Sequence, residues 1–220
     1  MSSQPRVFLL SPANCGGTRA KQALSPNATF ALATELRSPR GAMIGDVFMF
    51  VSGLYFRGKL TYAMRFAAPP EPDAADPSIV GCGVHIITPN AGLRSPDTLI
   101  TRKAMLAFAE GDVHQDNAGY RRPLERSAQA LQREIGPGCD VVLLGSIASP
   151  KYVDVLLSIF GERLRFPIDF VGRGDMSRGG LLLRRAREGQ ELEYASVAGA
   201  VLHGARPPRL PPLPRGARGL

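Results

Sequence analysis

Short apolar runs ending in polar or glycine-rich turns recur along this chain. Residues 6–12, RVFLLSP, carry no polar alternation and predict a short buried strand, and the following ANCGGTRAKQAL predicts a loop entering a helix. MIGDVFMFVSGLYF, residues 43–56, is so evenly apolar that periodicity leaves strand and buried helix both open. Residues 56–67, FRGKLTYAMRFA, set Leu60, Ala63, Met64 and Ala67 at helical spacing, and so predict a helix. The proline-rich and acidic stretch at 68–78 has no period and predicts an exposed loop.

Beyond it, VGCGVHIITP reads as a strand and NAGLRSPDTL as a loop whose glycine and proline interrupt regular structure. A basic helix is predicted at about 119–134 from the spacing of Leu124, Ala128 and Leu131. DVVLLGSI is the clearest buried strand, and KYVDVLLSIFGERL after it is an amphipathic helix with Pro150 at its start, where proline is tolerated. FPIDFVG predicts a further strand, and GRGDMSRGGLLLRRA a glycine-rich loop entering a helix. Strand, polar loop and helix repeat in the manner of an α/β protein, with one domain over 1–204 built on a mainly parallel central sheet flanked by helices. The Pro/Arg-rich segment 205–220 predicts a disordered or polyproline tail.

Composition narrows the partners. The net charge of +8 favours a polyanion, with nucleic acid (DNA) as first candidate. Half of that charge, Arg206, Arg209, Arg215 and Arg218, lies in the tail, so the body is only mildly basic. No segment approaches the roughly 18 uninterrupted apolar residues that cross a bilayer, which predicts no membrane partner. Cys15, Cys82 and Cys139 are odd in number and widely spaced; they suggest neither a disulfide framework nor a metal site, and fit a reducing, cytoplasmic setting. No cofactor is called for.

Four loops hold the chemistry-bearing residues. In Ser11–Arg19, Gly16 and Gly17 allow a ligand close to the backbone, with Asn14 and Arg19 as donors for a phosphate or nucleobase; the alternative is a tight turn. Cys15 is a candidate nucleophile there, although no histidine pairs with it in the sequence. In Thr88–Thr98, Asn90 is placed to read a base edge and Asp97 to activate water or steady a sugar cation, or else Asp97 caps a helix. In Gly145–Tyr152, Ser146, Ser149 and Lys151 suit an anion, with capping by Ser149 as the alternative. In Gly172–Gly180, Arg173, Asp175, Ser177 and Arg178 suit a nucleotide or nucleic-acid contact rather than a simple bend.

Asp46 lies in an apolar stretch and is expected to be paired, functional or in a turn. His85 reads as a core histidine, the Asp112, His114 and Asp116 alternation as chance rather than a metal site, and the Tyr120-Arg121-Arg122 group with Arg126 as a solvated helix face, with phosphate contact as the alternative.

The order of motifs resembles the superfamily that includes the peroxide-stress protein YaaA, bacterial and phage domains of unknown function, and the central domain of archaeosine-synthesis enzymes. The residues carrying the likeness are Leu10-Ser11-Pro12-Ala13, Phe56-Arg57-x-x-Leu60-x-Tyr62-Ala63 and Gly92-Leu93-x-Ser95-Pro96-Asp97-Thr98, followed by the strand-loop-helix from Val141 to Leu157. The resemblance covers about residues 6–185 and implies a fold related to uracil-DNA glycosylases, with recognition of a base or modified base flipped from DNA. The water-activating Gly-Gln-Asp-Pro-Tyr and His-Pro-Ser loops of uracil glycosylases are absent, so uracil itself is not the expected substrate.

The combined expectation is a DNA glycosylase acting on a base or modified base, with defence against foreign DNA as its setting. Asp97, Asp46 and Asn14 would be its catalytic residues, and Lys151, Arg173 and Arg178 its phosphate grip. A non-catalytic DNA- or RNA-binding module and a nucleoside deoxyribosyltransferase-like enzyme are the alternatives.

Overall fold

The computed structural model describes residues 4–71, 75–148, 150–201, 204, 205, 207, 208 and 210. In chain order the strands are β1 (Arg6–Leu10), β2 (Ala42–Met43), β3 (Val84–Thr88), β4 (Gly92–Arg94), β5 (Leu99–Ile100), β6 (Asp140–Leu144), β7 (Leu164–Pro167) and β8 (Tyr194–Ser196). The helices are α1 (Thr18–Leu24), α2 (Ala31–Arg37), α3 (Ile44–Ser52), α4 (Leu54–Phe66), α5 (Pro77–Val80), α6 (Arg102–Glu110), α7 (Ala118–Ile135), α8 (Pro150–Phe160) and α9 (Asp175–Glu188).

Six strands form one sheet in the order β4-β3-β1-β6-β7-β8. The inner four, β3, β1, β6 and β7, run parallel, and antiparallel β4 and β8 close the edges. β1 and β6 pair in register from Arg6↔Asp140 to Leu10↔Leu144. Both faces of this centre are covered, which is why its strands read as unbroken apolar runs. Phe8, Leu10, Val84, Ile86, Val142 and Leu144 meet α1, α3, α4, α6 and α9 on one face. Val7, Leu9, Ile87, Val141 and Leu143 meet α7 and α8 on the other.

Several elements differ from expectation. The apolar stretch 43–56 is not a strand: it becomes α3 and the start of α4, broken at Gly53. Helix α4 buries Phe56, Lys59, Leu60, Tyr62 and Ala63, which leaves Met64 53% exposed. The Gly92–Thr98 segment is not all loop, because β4 pairs with β3, while Leu99–Ile100 pair with Ala42–Met43. The glycines after Gly174 belong to α9 rather than to a loop. Gly179 lets α9 approach α4 closely: a Cβ at Gly58 would lie 2.6 Å from the Gly179 carbonyl oxygen. The tail beyond 205 lies largely outside the described residues, and of its described positions Leu210 packs against the core and Pro208 accepts a bond from Arg173.

Candidate active site

In an open parallel sheet the connections from neighbouring strands diverge at one point, and the loops there leave a crevice at the strands' carboxyl ends. Here β1 leads to β3 on one side while β6 leads to β7 on the other, so that point lies between β1 and β6. A crevice of about 470 Å³ sits there, formed by Ser11–Gly16 after β1, Pro89 after β3, Gly111–Val113 after α6, and Ser146, Lys151 and Tyr152 after β6. A smaller hollow of about 300 Å³, lined by Arg173 and Arg178, adjoins it and shares Ser146.

Ser11 forms part of the crevice floor, and beneath it lies a group that the loop motifs did not reveal. Lys59 of α4 is 1% exposed, and its Nζ lies 2.7 Å from the Ser11 carbonyl oxygen and 2.8 Å from Ser11 Oγ. The rings of Tyr55 and Phe56 flank the ammonium at 4.6 and 4.8 Å. Burial pushes the Lys59 pKa down to about 7, and the charge of Asp175 only partly opposes that shift. At neutral pH a substantial share of Lys59 is therefore the free amine, able to accept a proton from the serine hydroxyl it touches.

Tyr152 completes the floor: its hydroxyl accepts from the Ser146 N–H at 3.0 Å and donates to the Ser146 carbonyl at 3.1 Å. This closeness requires glycine at 145, where a Cβ would lie 2.9 Å from both Ser11 Cβ and the Tyr152 hydroxyl.

Of the residues singled out in the sequence, Asn14, Cys15, Gly16 and Lys151 line the crevice. Asn14 is exposed, and its Oδ1 accepts from the Gly16 N–H at 3.2 Å, holding the loop's shape. Cys15 is not an activated nucleophile. It is buried, its thiol donates to the Ala13 carbonyl, and burial pushes its pKa up to about 12, so it stays protonated. Gly17 is the residue preceding α1, and exposed Arg19 reaches the Phe50 carbonyl at 3.4 Å.

The other expectations require correction. Asp97 does not join Asn14: antiparallel β4 carries the chain back along β3, and exposed Asp97 lines a separate cavity with His85 and Arg94. It caps no helix either, since Thr101 precedes α6. Asp46 incurs no burial cost, because it is exposed in the first turn of α3, where its charge suits the helix dipole. Asn90 donates to the Ala107 carbonyl at 2.8 Å and so pins the β3–β4 turn to α6.

Arg178 is engaged with the Phe170 carbonyl, the Phe170 ring and Asp175. Arg173 bonds the Asp169 carbonyl and Ser177 Oγ, so these four residues of the glycine-rich segment mainly fasten α9 to the turn before it. Ser149 lies outside the described residues. Asp112, weighed only as part of a metal cluster, instead lines the crevice, and no cluster of three metal-ligating side chains occurs among the described residues. Among those residues no helix is long and apolar enough to cross a membrane.

Lys59 was detectable in principle, since a lysine between Phe56 and Leu60 interrupts the apolar stripe of a helix. The fold and crevice together define an open, mainly parallel α/β protein with its site at the carboxyl ends of the central strands. No family model, no curated protein and no solved structure matches the chain.

Proposed function

We propose that this protein hydrolyses the N-glycosidic bond of a base in DNA, with the crevice over β1 and β6 as the base pocket and a fold related to uracil-DNA glycosylases. The observation that carries the reading is Ser11 at the floor of a nucleoside-sized crevice, with the buried amine of Lys59 against it from beneath. Free-amine Lys59 accepts the Ser11 proton while Ser11 takes one from a bound water. That water adds to the anomeric carbon, the carbon–nitrogen bond breaks with its electron pair on the departing base, and the base takes up the proton that Lys59 returns through Ser11 Oγ. Asp112 supplies negative charge for the sugar cation, Asn14 meets the base edge through its Nδ2, and Lys151 meets a phosphate. The roles first considered for Asp97 and Asp46 pass to Asp112 and Lys59.

The test is incubation with plain and modified single strands and duplexes, followed by alkaline cleavage of abasic sites. Strand breaks are expected with the wild type and fall about 100-fold or more in Lys59→Met, the usual scale for loss of a general base. Breaks on no substrate would overturn the proposal.

A further inference from the structure

Helix α2 is preceded by a phenylalanine that the core does not take up. Phe30 is 38% exposed, although its ring is stacked on Phe50 of α3 with centroids 5.1 Å apart and planes 27° from parallel. Half-buried Phe50 thus backs an aromatic side chain that solvent reaches. A side chain already held in this way gives up little freedom when a second flat ring is laid against it.

Two guanidinium groups are fastened to this pair. Arg19 Nη1 donates to the carbonyl of Phe50 itself at 3.4 Å, and Arg37 donates to the Ser25 and Ala28 carbonyls at 3.2 and 2.6 Å, in the loop that leads into Phe30. Both arginines are exposed, and main-chain carbonyls orient a guanidinium without cancelling its charge. Neither has an ion-pair partner among the described residues, whereas Arg121, Arg178 and Arg185 each face a carboxylate. Over residues 14–57 exposed Arg19, Lys21, Arg37, Arg40 and Arg57 outweigh exposed Glu35 and Asp46. The surface is joined to the crevice through Asn14, which lines the crevice and whose N–H donates to Ser52 Oγ at 3.2 Å, two residues beyond Phe50.

We infer that this surface is a stacking platform for single-stranded DNA: a base flanking the target lies on Phe30, and adjoining phosphates meet Arg19 and Arg37. An unpaired strand offers both the flat face of a base and the charge of its phosphates, whereas a duplex keeps its base faces stacked inside. An apolar protein partner would bury the two guanidinium groups without a counter-charge, which is costly. The inference rests on the glycosidic reading for the target base in the crevice, but strand binding itself needs no catalysis.

Fluorescence anisotropy of the full chain with a labelled single strand of about 12 nucleotides, and with the matching duplex, in about 50 mM salt, tests it. The single strand is expected to bind several-fold more tightly than the duplex. Phe30→Ala, at an exposed position, should weaken single-strand binding about tenfold, the scale of one stacked base, and leave duplex binding unchanged, while Phe30→Tyr should restore the affinity. Arg19→Gln should make the slope of log affinity against log salt shallower by about 0.7, the share of one phosphate on a single strand. The inference is overturned if Phe30→Ala binds the single strand as tightly as the wild type, if it weakens duplex binding equally, or if it instead abolishes self-association of the chain. Phe30-dependent strand binding without base release from any substrate would overturn the glycosidic reading alone. Base release with Phe30-independent binding would overturn the platform alone.

Discussion

The two ends of the sheet each bury a nitrogen base, and they treat it differently. At the carboxyl end Lys59 is enclosed, yet Ser11 receives it at two oxygens and two aromatic rings flank it. At the amino end of β3, His85 is enclosed with Nε2 unmatched. Burial lowers both pKa values, Lys59 to about 7 and His85 to about 4. Desolvation alone therefore does not set the two nitrogens apart. The surroundings do: Lys59 touches a hydroxyl whose proton it can take, whereas His85 Nε2 is shielded and meets no partner.

The largest separation of the two ends comes from the α4–α9 crossing. Gly58→Leu forces a side chain against the Gly179 backbone and should cost about 3 kcal/mol or more, read by chemical denaturation. A milder break is Lys59→Met, which keeps the packing volume and removes a buried amine. Its stability should stay within about 1.5 kcal/mol of wild type, and a much larger loss would mean that the lysine is chiefly structural.

The pH dependence sharpens the contrast. Both groups bind fewer protons folded than unfolded, so each makes stability rise with pH across its own window. For His85 the rise spans about 4 to 6.5, and for Lys59 it begins near 7 and continues toward 10.5. Subtracting the stability of His85→Leu from wild type should isolate the acidic rise. Subtracting Lys59→Met should isolate the alkaline one, best read below pH 8.5, before the raised cysteine and tyrosine pKa values act in the opposite sense. Flat difference curves would contradict the burial of these groups. The smallest effect is that of His85→Leu at pH 7: within about 1 kcal/mol of wild type and toward greater stability, because an unpaired polar atom is removed.

The central sheet was legible because β1 and β6 are buried on both faces and so appear as continuous apolar runs. Helices α7 and α8 were legible because each has one wet face, so their apolar positions keep a helical period. The same logic explains the failures. The 43–56 stretch is apolar on nearly every side, which erases the period that separates helix from strand, and β4, β5 and β8 are only two or three residues long.

The crevice loop at Ser11–Gly16 was visible from its glycines and its position after a strand. Lys59 shows in the sequence only as a break in an apolar stripe; its place beneath the crevice depends on α4 lying against the end of β1, a contact between residues 48 positions apart. Asp97 illustrates the converse: an acid in a strand-following motif, sent to the other end of the sheet by the turn between β3 and β4.

The most direct measurement compares Lys59→Met with Asp97→Asn in one base-release assay on the same modified duplex. Lys59→Met is expected to lose about 100-fold or more while Asp97→Asn keeps nearly full activity. Full activity in Lys59→Met together with loss in Asp97→Asn would place the chemistry at the other end of the sheet and contradict the role proposed for Lys59.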